Sequence, residues 1–204
     1  MTMPEPESLY DRIRRRYLEH NVPWDHTLPP PEVLAFAEAH HPGRLLDLGC
    51  GYGRACLHLA NHGWQCDGVD FVSEAIQGAQ TRAAATGLAG RVQFHHADIT
   101  ALDFLTEPYD LVLDVGCLHA QPQEVCQRYA EHVRRLTRPD GTFLLFAHLR
   151  EEADPEGRRW ITRPALEALF SRDFGFDRIE LGTTTVGEDT WPSAWFWLRR
   201  LASD

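Results

Sequence analysis

Leu45-Leu46-Asp47-Leu48-Gly49-Cys50-Gly51-Tyr52-Gly53-Arg54 reads as a buried strand that runs into a loop with glycine at every second position and then into a helix. Those glycines let the main chain come close to a ligand and adopt conformations that side chains forbid. Asp47 sits near the C-terminal edge of an otherwise apolar strand, where sheets of this kind bind ligands, and a charge there needs a partner. Taken alone, the glycine triplet also fits an ordinary tight turn with an acid at a strand end. Three more acids argue against the turn. Asp70 closes the next strand about twenty residues on, Asp98 ends the third strand in Ala97-Asp98-Ile99, and Asp114 ends the fourth. Four carboxylates at successive strand tips would line one edge of a single sheet.

Outward from this loop the pattern alternates strand and helix. Short apolar strands are expected at Arg44 to Leu48, Gln65 to Asp70, Arg91 to His96 and Tyr109 to Asp114. Helices are expected at about Arg54 to Asn61, Ser73 to Thr86 and Gln121 to Leu136, with Ser73 as an N-cap and Gly87 as a stop. Arg138-Pro139-Asp140-Gly141 reads as a turn before the apolar strand Thr142 to Leu149. After the polar stretch Glu151 to Arg159 come a helix near Arg163 to Phe170 and strands near Phe176 to Gly182 and Trp195 to Leu201. Strand then helix, repeated, demands right-handed crossovers and gives an α/β, mostly parallel sheet covered on both faces. Residues 1–43 form an N-terminal helical arm, with helices around Leu9 to Leu18 and from Pro29-Pro30-Pro31 to about Ala39, and residues 44–204 form one compact unit.

Bulk properties narrow the function. The chain has 204 residues and 43% hydrophobic composition, which suits one well-packed domain. Its apolar runs are too short to span a membrane, and the acidic, proline-rich start is unlike a secretory signal. Cys50, Cys56, Cys66, Cys117 and Cys126 show neither a disulfide framework nor zinc-ribbon spacing, so a reducing, cytoplasmic setting is expected. A formal charge of −10 would repel a phosphate backbone, which makes nucleic acid an improbable partner. All twenty basic residues are Arg and none is Lys, so a P-loop is ruled out. Dinucleotide binding competes more closely, since it uses a similar loop and a ribose-binding acid placed like Asp70. Its fingerprint, however, wants glycine or alanine where this chain has Arg54.

Taken together, these motifs resemble the class I S-adenosylmethionine-dependent methyltransferases, over about Arg44 to Leu149 and more loosely through the last two strands. The resemblance implies a Rossmann-like, doubly wound sheet of seven strands with the last antiparallel. It also implies S-adenosylmethionine as cofactor. Asp47, Gly49, Cys50, Gly51 and Gly53 would surround its methionine part, Asp70 would hold the ribose and Phe71 would pack on adenine. Ala97, Asp98 and Ile99 would read the adenine edge, and Asp114 would sit under the methionyl end. Two competing readings are a cofactor-binding protein without catalysis, acting as a sensor or subunit, and an NAD-type oxidoreductase.

The loop Val115-Gly116-Cys117-Leu118-His119 would face the transferable methyl. With Val22-Pro23-Trp24-Asp25, it resembles the small bacterial enzymes that methylate thiols, halides and thiopurines or confer tellurite resistance, in which the N-terminal segment folds over the cofactor. That group often has glycine just after Pro-Trp-Asp, where this chain has His26-Thr27. The substrate expected is a small molecule, a thiol or other soft nucleophile being slightly favoured. A sulfonium is already a strong electrophile, so the protein has to align the acceptor, exclude water and move a proton. His119 is the candidate base or acceptor-positioning group, and a helix-capping or packing histidine is the alternative. Trp24 could close the pocket against the cation or simply anchor the arm. Cys117 is expected to pack rather than react. No metal site is expected, because the adjacent residues His95 and His96 point to opposite faces of a strand. The oligomeric state is left open by the sequence.

Overall fold

The computed structural model describes residues 7–150, 161–186 and 189–202. Seven strands form one sheet: β1 (Arg44–Leu48), β2 (Gln65–Asp70), β3 (Val92–His96), β4 (Tyr109–Val115), β5 (Thr137–His148), β6 (Phe174–Val186) and β7 (Asp189–Arg200). Their order is β3-β2-β1-β4-β5-β7-β6. The first five strands pair in parallel, while β7 runs antiparallel to both β5 and β6. Six helices accompany them among the described residues: α1 (Leu9–Leu18), α2 (Pro31–Ala39), α3 (Arg54–Asn61), α4 (Ser73–Ala85), α5 (Gln123–Leu136) and α6 (Arg163–Phe170). This is the Rossmann-like α/β fold expected from the strand–helix alternation, with the N-terminal helices covering the sheet.

Side chains alternate strictly across the strands, so each face has its own core. Leu46, Leu48, Val112, Phe143 and Leu145 pack with Tyr129, Val133 and Leu136 of α5 and with Leu166 and Phe170 of α6. Leu45, Leu111, Leu113, Leu144 and Trp195 pack on the other face with Val33 and Phe36 of α2 and with Ala55, Cys56 and Leu59 of α3. Asp47 shares the face of Leu45 and therefore projects towards α3. No helix among the described residues is long and apolar enough to cross a membrane.

Local departures from the pattern have physical reasons. Ser73 is the first helical residue of α4 and not its cap: Val72 holds the cap position, and the Ser73 hydroxyl donates to Glu74 at 2.9 Å. Gly87, at φ +71°, does terminate that helix, just beyond its C-cap Thr86. The residues Arg138 to Gly141 are absorbed into β5 as an irregularity: Thr137 lies opposite Tyr109 and Thr142 opposite Leu111, with Asp140 at φ +59°. The last two strands are longer than hydrophobic pattern suggests and make one hairpin, with Val186 opposite Asp189. Edge positions such as Thr183 and Thr185 are exposed, so they carry strand propensity but no apolar period. The polar stretch 151–159 lies outside the described residues.

Candidate functional site

The chain moves outward from β1 to β2 and β3, then returns to the other side of β1 as β4. This reversal opens a crevice at the C-terminal ends of the central strands. The glycine loop fills its floor. Gly49, Gly51 and Gly53 all lie at positive φ, at +72°, +56° and +76°, so each uses the freedom only glycine has at low cost. The loop is tied to the neighbouring strand by Gly49 and Cys50, whose N–H groups donate to the Val69 carbonyl at 2.8 and 3.0 Å. Gly51 N–H donates to Asp70 Oδ2 at 2.9 Å. Gly53 caps α3 in the left-handed conformation, and a Cβ there would stand 2.5 Å from the Phe94 ring.

Three of the four predicted acids are buried here. Asp47 accepts a weak hydrogen bond from the Cys56 thiol at 3.8 Å, and burial pushes its carboxyl up to about 7, against the pull of Arg54. Asp70 is also shifted up by burial, opposed by the N–H groups of Val72 and Gly51. Asp114 has no exposed surface, and burial raises it to about 6. Its oxygens hold the following loop, accepting from Cys117 N–H at 2.6 Å, Leu118 N–H at 2.9 Å and the Tyr129 hydroxyl at 2.6 Å. Asp98 differs from expectation: β3 ends at His96, and Asp98 is exposed two residues later, where it accepts from the Thr100 N–H and hydroxyl. Ala97 beside it donates to the Asp70 carbonyl at 3.1 Å, and Ile99 is buried in the core. Phe71 is half-buried and meets Tyr10 edge-on at 5.6 Å.

The loop after β4 makes a short 3-10 turn, Leu118–Ala120. Gly116, at φ +92°, lies against the His119 ring, where a Cβ would meet Cε1 at 3.1 Å. His119 Nδ1 accepts from the His148 N–H at 3.1 Å. Neutral His119 therefore carries its proton on Nε2. Burial, with help from His148, lowers its pKa to about 3, so it is neutral at ordinary pH. Cys117 lies against Gly49, and burial pushes its thiol well up, which suits packing rather than nucleophilic chemistry.

The arm lies over the glycine loop. Trp24 Nε1 donates to the Tyr17 hydroxyl at 3.1 Å, and both rings sit above Gly51, whose Cβ would be 3.1 Å from that hydroxyl. Two ion pairs fix the arm to α4: Asp25 takes both Arg82 nitrogens at 2.8 and 2.7 Å, and Arg14 meets Glu74 at 2.7 Å. A small cleft remains, lined by Trp24, Asp47, Gly49, Gly51, Arg54 and Val115. Among the described residues no three His, Cys, Asp or Glu side chains gather as a metal cluster. His95 and His96 part company, with His95 on Asp67 at 2.7 Å and His96 on the Phe71 carbonyl at 3.0 Å.

The structure thus brings Trp24, the glycines, Cys50, Asp47, Asp70 and Asp114 to one crevice, with His119 at its β4 side. It adds Tyr17, Arg54 and Tyr129, which the sequence does not announce. Tyr17 lies 34 positions before Gly51 in a different element, and no local spacing connects them.

Comparison with known proteins agrees with this geometry. Residues 45–141 match the methyltransferase domain family. Ajmaline N-methyltransferase from Rauvolfia serpentina is 32% identical over 131 residues, covering 61% of this chain and 44% of that enzyme, so the chain spans less than half of that relative's length. A solved structure from work on the conversion of a disulfide bond into a thioacetal group during echinomycin biosynthesis is 26% identical with a TM-score of 0.73, covering 88% of this chain and 85% of that one. TehB from Haemophilus influenzae superimposes with a TM-score of 0.74 at 18% identity, over 92% of this chain and 67% of that one. Sheet order and glycine loop give this chain the Rossmann-like fold that class I S-adenosylmethionine-dependent methyltransferases share, and its residues 45–141 are similar to the methyltransferase domain family.

Proposed function

We propose that this chain binds S-adenosylmethionine in the crevice above β1 and transfers its methyl group to a small molecule. The observation that carries the reading is the triplet of positive-φ glycines standing beside three buried carboxylates at adjacent strand ends. Buried acids whose proton affinity is raised by lost water have an unmet preference for positive charge, and the ligand proposed here brings an ammonium and a sulfonium. Asp47 with Gly49, Cys50, Gly51 and Gly53 would hold the methionine part. Asp70 would take the ribose while keeping Gly51 in place, and Phe71, Ala97, Asp98 and Ile99 would receive adenine. Asp114 acts indirectly, by fixing the loop that carries Gly116 to His119.

When bound, the cofactor supplies a methyl carbon made electrophilic by its sulfonium. That carbon would pass to a lone pair of the acceptor with its former bonding pair left on sulfur, and any proton on the acceptor atom would be lost to solvent. The chain's own contribution is orientation and dryness. Neutral, and held through Nδ1 by the His148 N–H, His119 would position the acceptor. A ring that cannot titrate near neutrality suits this role better than that of general base. Trp24 and Tyr17 of residues 1–43 would form a cover over residues 44–204. Likeness to an ajmaline N-methyltransferase and to a protein of thioacetal formation supports a nitrogen or sulfur acceptor. Five free cysteines suit the reducing conditions of the cytoplasm.

Calorimetry tests the first step. S-adenosylmethionine and S-adenosylhomocysteine should both bind, and absence of heat with either at millimolar ligand would overturn the proposal. His119→Gln keeps an N–H donor and should retain most of the turnover. His119→Ala should lose on the order of 100-fold in kcat by misplacing the acceptor. Equal losses in both variants would remove His119 from this role.

A further inference from the structure

We infer that His58 and His62 form a chelating site for one imidazole-preferring divalent ion, such as zinc, nickel or copper, at the C-terminal end of α3. The site stands apart from the cofactor crevice. Gly53 opens α3 at the glycine loop, and the length of the helix, at about 1.5 Å per residue, puts its other end roughly 12 Å away. The inference does not depend on the methyl-transfer reading.

The pair follows from helix period. Residues four apart lie one above the other on a helix, so His58, in the last turn, and His62, the C-cap, share a face. Ala55, Cys56, Leu59 and Ala60 take the core side of α3, which leaves His58 half-buried and His62 exposed. The two ring centres are 4.5 Å apart, with planes 32° from parallel. Two imidazoles bound at about 2.1 Å to one ion hold their ring centres roughly 5 Å apart. Chelation therefore asks only a small adjustment of side chains at the surface.

Protonation is arranged for a metal as well. His62 Nδ1 lies 2.8 Å from the His58 carbonyl, and a carbonyl only accepts, so Nδ1 carries the proton and the neutral ring keeps its lone pair on Nε2. A ring N–H anchored on a main-chain carbonyl is the support that orients metal-bound histidines in general. Burial, and then His62, hold His58 below the ordinary histidine value, so the free-base form that ligates prevails at neutral pH. Local charge also favours a cation: the end of α3 is the negative pole of its dipole, and the Glu38 carboxylate of α2 acts on His58. The donors select the ion. Imidazole suits zinc, nickel and copper, whereas magnesium and calcium ask for oxygen. Water would complete the sphere, so the site is smaller than a three-ligand cluster, none of which occurs among the described residues.

Calorimetry on the full chain, stripped of metal with a chelator, tests this with nickel chloride as titrant. One ion should bind per chain, and magnesium chloride at the same concentrations should give no heat. His58→Gln and His62→Gln should each weaken nickel binding on the order of 100-fold, because either leaves one ring where two acted together. Changing His40→Gln and His41→Gln together removes as many histidines elsewhere and should leave the affinity as it was. With one equivalent of copper(II), electron paramagnetic resonance should count two coordinated nitrogens, falling to one in either single variant. Absence of binding, half an ion per chain, unchanged affinity in the His58 and His62 variants, or loss of binding on changing His40 and His41 would each overturn the inference.

Discussion

Asp47 illustrates how much one carboxyl can report. An ordinary aspartate titrates near 3.8, and burial lifts this one to about 7. Between those values the folded, ligand-free protein binds a proton that the unfolded chain does not, so stability falls as pH rises through that window and levels off above it. Binding of a cofactor that brings an ammonium and a sulfonium towards Asp47 works in the opposite sense, because it favours the ionised acid. Affinity for S-adenosylmethionine should therefore rise on the order of tenfold between pH 5.5 and 7.5, and more steeply than affinity for S-adenosylhomocysteine, which lacks the sulfonium. Parallel pH profiles for the two ligands would show that Asp47 does not sense that charge. Tyr129 offers a second check. Its hydroxyl donates to fully buried Asp114 at 2.6 Å, so Tyr129→Phe should cost about 1–3 kcal/mol at pH 8. The cost should be smaller at pH 5, below the value of about 6 to which Asp114 is raised, and chemical denaturation at both pH values would measure it. Asp47, Asp70 and Asp114 were legible from sequence because each breaks an apolar strand at its end. Tyr129 was not, because its partner lies fifteen positions away and a tyrosine on a helix has many ordinary reasons to be there. Asp98 lies two residues beyond the strand, which stops at His96, and an Asp closing an Asx turn onto Thr100 looks the same in sequence as an Asp ending a strand.

Elements were readable where hydrophobic period and backbone demand coincide. The strands β1 and β2 and the helices α1, α3 and α6 stand at the positions their patterns give, since the two central strands are buried on both faces and the helices on one side. The hairpin β6–β7 extends further than its apolar residues, because outer-edge positions need strand propensity and not burial. At the α4 start, a serine flanked by glutamate reads as a cap, yet Val72 takes that place and Ser73 turns its hydroxyl to Glu74. Gly53 shows the strongest agreement between levels, being loop glycine, helix cap and packing gap at once. Gly53→Ala must adopt φ +76° and force a Cβ towards the Phe94 ring, for an expected loss of about 2–4 kcal/mol. An unchanged midpoint in denaturant unfolding would contradict that account. Gly87→Ala provides the contrast: its φ is also positive, but nothing stands within 4 Å of the added carbon, so only the backbone cost applies.

Across the whole molecule, the least legible feature is how the arm meets the sheet. The sequence supplied Trp24 and an expected cover, but the contacts that seat it join residues 57 and 60 positions apart, Asp25 with Arg82 and Arg14 with Glu74. These pairs are partly exposed, so each contributes at most about 1 kcal/mol and weakens with salt. Arg82→Ala should leave the melting temperature within a few degrees of the original while speeding protease cleavage within residues 9–25. Cleavage at the original rate would mean that the Tyr17 and Trp24 packing suffices. The seated arm leaves a cavity of only about 30 Å³ between Trp24 and the glycine loop, room for a few water molecules. A nucleoside-sized ligand needs far more room than this, so seating one against the glycine loop is expected to require Tyr17 and Trp24 to move off Gly51. In rapid-mixing measurements the observed rate should then climb with ligand concentration only to a plateau, and that ceiling is the frequency with which Tyr17 leaves Gly51.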